Sequence, residues 1–168
     1  MNDRSNDDMA AVSSKENHTG SDVRIREIRS FEEFPSWTTP DDFALFLYES
    51  LKPYEDPLHD VKQGITDALA PQSGNPGFVL IADIDETIVG GLIMLRTGMK
   101  GYVPENFLLM VAVDPITRGK GVGSQLIKRS FELAEGDIKL HVEYDNPAKR
   151  LYERLGMTNK YAEMRYHK

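Results

Sequence analysis

Residues 118–123 read Arg-Gly-Lys-Gly-Val-Gly, two cations interleaved with three glycines. An apolar run ending in Asp114-Pro115 comes before them, and an amphipathic helical pattern starts directly after. A helix N-terminus carries unsatisfied N–H groups and a partial positive charge. Arg118 and Lys120 are unfavourable beside it, by about 0.3–1 kcal/mol each. An anion at the same place reverses the sign, because it accepts from the free N–H groups and neutralises the cations. The glycines let the backbone approach a ligand closely and adopt torsions that other residues resist. Phosphate or pyrophosphate binding resolves the conflict. A glycine-rich surface turn with two solvated cations is the alternative.

Two familiar phosphate loops fit poorly. A Walker A loop needs Ser or Thr after Gly-Lys, and Lys120 is followed by Gly121. A dinucleotide fingerprint G-x-G-x-x-G matches at Gly119 and Gly121 but meets Ser124 at its third glycine. Glu143 could serve as its ribose-binding acid. A nucleotide-cofactor oxidoreductase therefore stays open, although a doubly wound domain needs more strand-helix alternation than this chain shows. There is no cysteine, which removes disulfides, thiolate metal sites and a thiol nucleophile. His18, His59 and His167 are scattered, so no metal site is expected. Ser124 lacks the strand-turn-helix context of a nucleophilic serine.

The elements that would hold this loop follow from periodicity. Strands are predicted at 23–28, 78–84, 86–96, 106–113, 138–142 and 161–168, the fourth a continuous apolar run buried on both faces. The second and third form an antiparallel hairpin around Asp85-Glu86. Helices are predicted at 41–51, 56–70 and 124–135, where Gly136 is a stop signal. Asn146 caps a last helix, with Pro147 at its first position and Gly156 at its end. His141 falls within the fifth strand, opposite Leu140, and reads as structural or exposed.

The 168 residues suggest one domain with one core, and the net charge of −7 disfavours a nucleic-acid binder. Residues 1–22 are polar and aperiodic and read as a flexible tail, leaving 23–168 as the domain. No run approaches a membrane span and no signal peptide is evident, so a cytoplasmic protein is the default.

These residues resemble the GNAT superfamily of acyl-CoA-dependent N-acetyltransferases. The family signature Q/R-x-x-G-x-G/A is similar to Arg118–Gly123, and it follows a buried fourth strand and Val-Asp-Pro as in the family. The second family feature resembles the run Asn-Pro-Ala-Lys-Arg-Leu-Tyr-Glu-Arg-Leu-Gly-Met at 146–157. The resemblance implies a mixed α/β fold with a largely antiparallel sheet, splayed between the fourth and fifth strands and flanked by helices. It implies acetyl-CoA as acyl donor, a small-molecule or protein amine as acceptor, and no metal; a homodimer is allowed for. It places the pyrophosphate on Arg118, Gly119, Lys120, Gly121, Val122 and Gly123, with Ser124 opening the helix. Pantetheine would pair with Val111, Ala112 and Val113, and Asn146, Lys149 and Tyr152 would complete the donor site. Tyr152 matches the family's proton donor to the leaving thiolate, with core packing as its other role. The fourth strand carries no acid, so Glu105 just before it is the first choice of base, ahead of Glu143 and Asp145. Acceptor contacts are expected from Glu49, Glu55, Asp56, Asp60, Tyr48 and Tyr54, and from the 97–106 segment. A domain that holds acyl-CoA as a sensor and transfers nothing is the binding-class alternative.

Overall fold

The computed structural model describes residues 22–168. The chain runs β1 (Arg24–Ile28), α1 (Pro40–Leu51), α2 (Leu58–Leu69), β2 (Phe78–Ile84), β3 (Thr87–Arg96), β4 (Asn106–Val113), α3 (Val122–Leu133), β5 (Ile138–Leu140) and α4 (Lys149–Arg154). The strands form one sheet in chain order, antiparallel from β1 to β4 and parallel between β4 and β5. This is the mixed, largely antiparallel sheet expected. A doubly wound parallel sheet, which the oxidoreductase alternative requires, is absent from the described residues.

Local chemistry explains the elements. Thr39 and Asp42 close a reciprocal capping box at the start of α1, each side chain accepting from the other's N–H at 3.1 Å. The β2–β3 hairpin turns through Asp85 (φ 48°) and Glu86 (φ 62°), the left-handed pair of a tight two-residue loop. Asp83, wholly buried, anchors that turn. It accepts from the Glu86 N–H at 3.3 Å and from Arg26 Nε of β1 at 2.6 Å.

Both sheet faces are covered, so the chain builds two apolar layers rather than one core. Phe43, Leu47, Val61 and Ile65 of α1 and α2 bury one face against Val79, Ile81, Ile93, Met110 and Ala112. Val122, Leu126 and Ile127 of α3 and Tyr152 of α4 bury the other against Leu80, Leu92, Met94 and Leu108. Gly90 and Gly91 of β3 make both approaches possible: a Cβ on Gly91 would strike the Phe43 ring, and one on Gly90 would strike Leu126 and Val122.

β4 carries a bulge. Ile93 faces Met110 and Met94 faces Leu108, which leaves Leu109 opposite no residue. Leu108 accordingly packs toward α3 and α4, whereas Leu109 and Met110 both pack toward α1 and α2. Before the bulge β4 pairs with β5, at Asn106, Phe107 and Leu108 against Ile138, Lys139 and Leu140. Beyond it β4 runs on to Val113 with no described strand on that side, so the sheet opens there as expected.

Several expected boundaries move. Residues 161–168 form no strand: they are exposed throughout, with Tyr161, Met164 and Tyr166 largely in solvent. Their alternation is genuine, but a strand also needs a neighbour's peptide groups, and β5 is only three residues long. His141 thus lies just past β5 rather than inside it. α3 ends at Leu133, two residues early. Ala148 is the N-cap of α4, and Asn146 caps the turn before it, its Oδ1 accepting from the Ala148 N–H at 2.9 Å. The expected tail, apart from Asp22, lies outside the described residues. No described helix is long and apolar enough to cross a membrane.

Candidate active site

Peptide groups along a strand face alternate edges, so one hydrogen bond fixes the rest. The Asp114 N–H donates to Val89 O of β3 at 3.0 Å. The peptide groups of Ala112 therefore also face β3, and those of Val111 and Val113 face the opening. At the other end the Asn106 N–H donates across to Asp137 O at 3.0 Å. Asn106 and Asp114 have the same parity yet face opposite edges, as the extra residue at Leu109 requires. The open edge thus offers the N–H groups of Val111 and Val113 and the Val111 carbonyl. The Val113 carbonyl is taken by Arg118 Nε at 3.2 Å.

The loop after β4 presents a second set of donors. Gly121 caps α3 in the left-handed conformation (φ 86°), and no side chain caps that end. The N–H groups of Val122, Gly123 and Ser124 are the unsatisfied first turn of a twelve-residue helix. The Gly119 and Gly121 N–H groups also find no acceptor among the described residues. Two expected donors are engaged elsewhere: Arg118 N–H bonds Asp114 O at 3.1 Å and Lys120 N–H bonds Thr117 O at 3.3 Å. The Arg118 guanidinium reaches Ser50 O, in the last turn of α1, at 2.6 Å, so this cation braces the loop against α1. Lys120 is exposed, with no carboxylate partner among the described residues. Gly123 lies between β4 and α4: a Cβ there would meet Val113 and Leu151 at 3.4 Å each. The loop, the open edge of β4 and α4 are thereby brought together.

Tyr152 faces inward from α4 and is 9% exposed. Burial pushes its phenol up to about 12. Its hydroxyl takes no hydrogen-bond partner among the described residues. Its ring packs in the layer that also holds Leu108, Val111 and Val113, beside the opening. Lys149 is half-buried, with its Nζ 5.5 Å from the centre of the Tyr144 ring.

Glu105 is not part of this group. It lies before the paired end of β4, and its Oε2 accepts from the Asp137 N–H at 2.9 Å. That bond, followed by its own N–H, holds the carboxyl below the usual range, with smaller help from Lys100 and Arg96. Of the acid-rich acceptor segment, Glu49 is paired with Lys52 at 2.7 Å, and Lys52 Nζ lies over the Tyr48 ring at 5.0 Å. Asp60 contacts His59 at 3.3 Å. Among the described residues no three His, Cys, Asp or Glu side chains converge as a metal-binding group.

Sequence reasoning passed over one cluster. Phe107, Lys139, His141 and Glu163 meet on the α1–α2 side of the β4–β5 junction. The Phe107 and His141 rings are 4.8 Å apart, and His141 Nδ1 lies 3.7 Å from Glu163 Oε1. The signal available beforehand was weak: a histidine opposite Leu140, with no indication that pairing stops there.

The family described as acetyltransferase (GNAT) matches residues 24–157. Human N-alpha-acetyltransferase 30 is 27% identical over 164 residues, which is 95% of this chain and 42% of that protein. The Xenopus laevis protein of the same name is 31% identical over 97 residues, 55% of this chain and 36% of that one. The chain spans about two fifths of the length of the curated relatives it matches. An aminoglycoside N-acetyltransferase solved in complex with CoA superposes with a TM-score of 0.64 at 16% identity, covering 90% of this chain and 98% of that one. A possible acetyltransferase from Clostridium difficile 630 superposes at 0.62 with 22% identity, covering 87% and 97%. These two likenesses show the fold.

Proposed function

Because the chain belongs to the acetyltransferase (GNAT) family, we propose that it transfers an acetyl group from acetyl-CoA to a primary amine. The observation that carries this reading is the continuity of two donor arrays. The open β4 edge at Val111 and Val113 leads directly into the uncapped first turn of α3. One ligand that is an extended amide chain at one end and a pyrophosphate at the other satisfies both. The Val111 and Val113 peptide groups would pair with the pantetheine arm as an added strand. The N–H groups of Gly119, Gly121, Val122, Gly123 and Ser124 would hold the pyrophosphate, with Lys120 beside them.

Bound acetyl-CoA supplies a thioester whose carbonyl carbon an amine can attack, the C–N bond forming as the C–S bond breaks. The N–H groups on the open edge donate to the developing oxyanion. Tyr152 stays protonated across the working range, so its hydroxyl can always donate to the departing sulfur. Complete transfer from a phenol at about 12 to a thiolate near 8.5 would be uphill by about 3–4 pH units. Tyr152 therefore stabilises the sulfur by a hydrogen bond, and the sulfur finally takes a proton shed by nitrogen. The relatives' shared name, N-alpha-acetyltransferase, makes an α-amine the first acceptor to test. Such an amine, with pKa about 8, has an appreciable neutral fraction at pH 7.

Thermal melts with ligands test the donor. Acetyl-CoA should raise the melting temperature well beyond NADH or ATP, since only a ligand of the native state stabilises it. An equal shift with NADH would overturn the reading. Thiol detection of released CoA across a panel of amines tests transfer. A large acetyl-CoA shift with no release for any amine would identify a sensor instead.

A further inference from the structure

We propose that residues 161–167 form an interaction surface for a second copy of this chain, each copy's segment pairing antiparallel with the other's about a twofold axis at Met164. Residues 161–168 read Tyr-Ala-Glu-Met-Arg-Tyr-His-Lys and alternate with period two. Extended, the segment sets Ala162, Met164 and Tyr166 on one face and Tyr161, Glu163, Arg165 and His167 on the other. It reads as a strand but lacks a partner: none of its peptide groups is hydrogen-bonded among the described residues. Tyr161 is 76% exposed, Met164 93% and Tyr166 88%. Three large side chains and a row of free peptide groups thus lie together in water, the condition under which an extended segment takes up a second strand. Glu163 touches His141, the residue after β5, so the joint falls beside the edge of the sheet.

The order of charges selects that second strand. In an antiparallel pair centred on Met164, Glu163 stands opposite the partner's Arg165, and Arg165 opposite the partner's Glu163. Within one chain Arg165 Nε already bonds Glu163 Oε1 at 2.7 Å, so the four groups make a square of alternating sign. On the other face Met164 meets the partner's Met164, and Ala162 lies across from the partner's Tyr166, a small residue against a large one. Other registers fail. A slip of two residues one way sets Glu163 against the partner's Glu163, and the other way Arg165 against the partner's Arg165; like charges directly opposite destabilise a sheet. A slip of one residue lays the charged face of one copy beside the apolar face of the other. The twofold axis gives both copies identical contacts and closes the assembly at two. A single strand pair of this length is smaller than a standard interface, which takes roughly 800 Å² on each side, so the dimer should be reversible, with a dissociation constant in the micromolar range.

Sedimentation velocity of the full chain, over a concentration series through the micromolar range, tests this. Wild type should pass reversibly from monomer to dimer. The amide groups of 161–167 should gain hydrogen-exchange protection only where dimer is populated. Glu163→Arg and Arg165→Glu each set like charges opposite one another, and each should weaken the dimer at least tenfold. Mixed in equal amounts, the two variants should associate, since every facing pair is then of opposite sign. The double exchange, Glu163→Arg with Arg165→Glu, should dimerise like wild type. Both side chains are exposed, so every variant should keep the wild-type far-ultraviolet spectrum. A wild type that stays monomeric throughout would overturn the inference. So would a dimer that both single variants leave intact, or one whose protection lies outside 161–167.

Discussion

Tyr152 and Glu105 show how the same sequence position arguments separate once neighbours are known. Tyr152 shares a helix face with Leu151 and Leu155, so either packing or chemistry could account for it in the sequence. The structure gives it a buried ring and a hydroxyl with no described partner. Tyr152→Phe should therefore hold the stability within about 0.5 kcal/mol of wild type. Turnover should drop by about 10²–10³, the usual cost of losing one donor to a developing charge, with little change in the Michaelis constant for acetyl-CoA. Steady-state kinetics beside a thermal melt decide it. Normal turnover would make the hydroxyl irrelevant to the sulfur. Glu105 stands next to β4 in sequence, but its carboxylate accepts from the Asp137 N–H at the paired end of the strand. Its value is lowered in the fold, so its stabilisation is complete above the ordinary 4.5 and is lost as pH falls through the folded value. Glu105→Gln keeps an acceptor but cannot titrate. Unfolding midpoints followed from pH 7 to pH 3 should lose part of their acid dependence, while the pH profile of turnover stays unchanged.

Between residue and fold, the loop from β4 to α3 is where local reading did best. The cations and glycines of 118–123 pointed to an uncapped helix start, and Gly121 holds it in the left-handed region. Gly121→Val forces a β-branched residue there, at a cost of about 1–2 kcal/mol, and crowds the approach to the free N–H groups. Acetyl-CoA titration by calorimetry should show weaker binding by at least tenfold with a folded protein. Unchanged affinity would reduce the glycines to turn residues. What the sequence did not reveal was the role of Arg118, which sits in the loop but bonds Ser50 O across 68 positions. Side-chain reach over such separations leaves no periodic trace. Periodicity also overran at 141–142 and failed at 161–168, where alternation was present and partners were not. The capping box at Thr39 and Asp42 was readable, and would have moved the start of α1 to Pro40.

At the scale of the whole molecule, element order and the central strand were legible because buried strands and amphipathic helices carry strong composition signals. The two-layer core follows from them, since β4 is apolar at nearly every position. The opening of the sheet was expected from family likeness alone; its local origin, the unpaired Leu109, has no signature within a run of apolar residues.

That residue makes the opening a matter of arithmetic. β4 holds one residue more than its partner β3 can match between Leu108 and Met110. A strand with a surplus bends and twists away from its line, and here it bends away from β5. Deleting Leu109 would remove the surplus while leaving every other pairing and both faces in phase. The shortened strand should run straight, continue its ladder with the chain after Leu140, and seal the gap. The expected product is a well-folded protein, with a far-ultraviolet spectrum like the wild type, that no longer gains stability from acetyl-CoA. A deletion variant that still responds would place the origin of the gap elsewhere. The capacity to admit a ligand would then be recorded in this chain as a count, one residue in excess, rather than in the identity of any side chain.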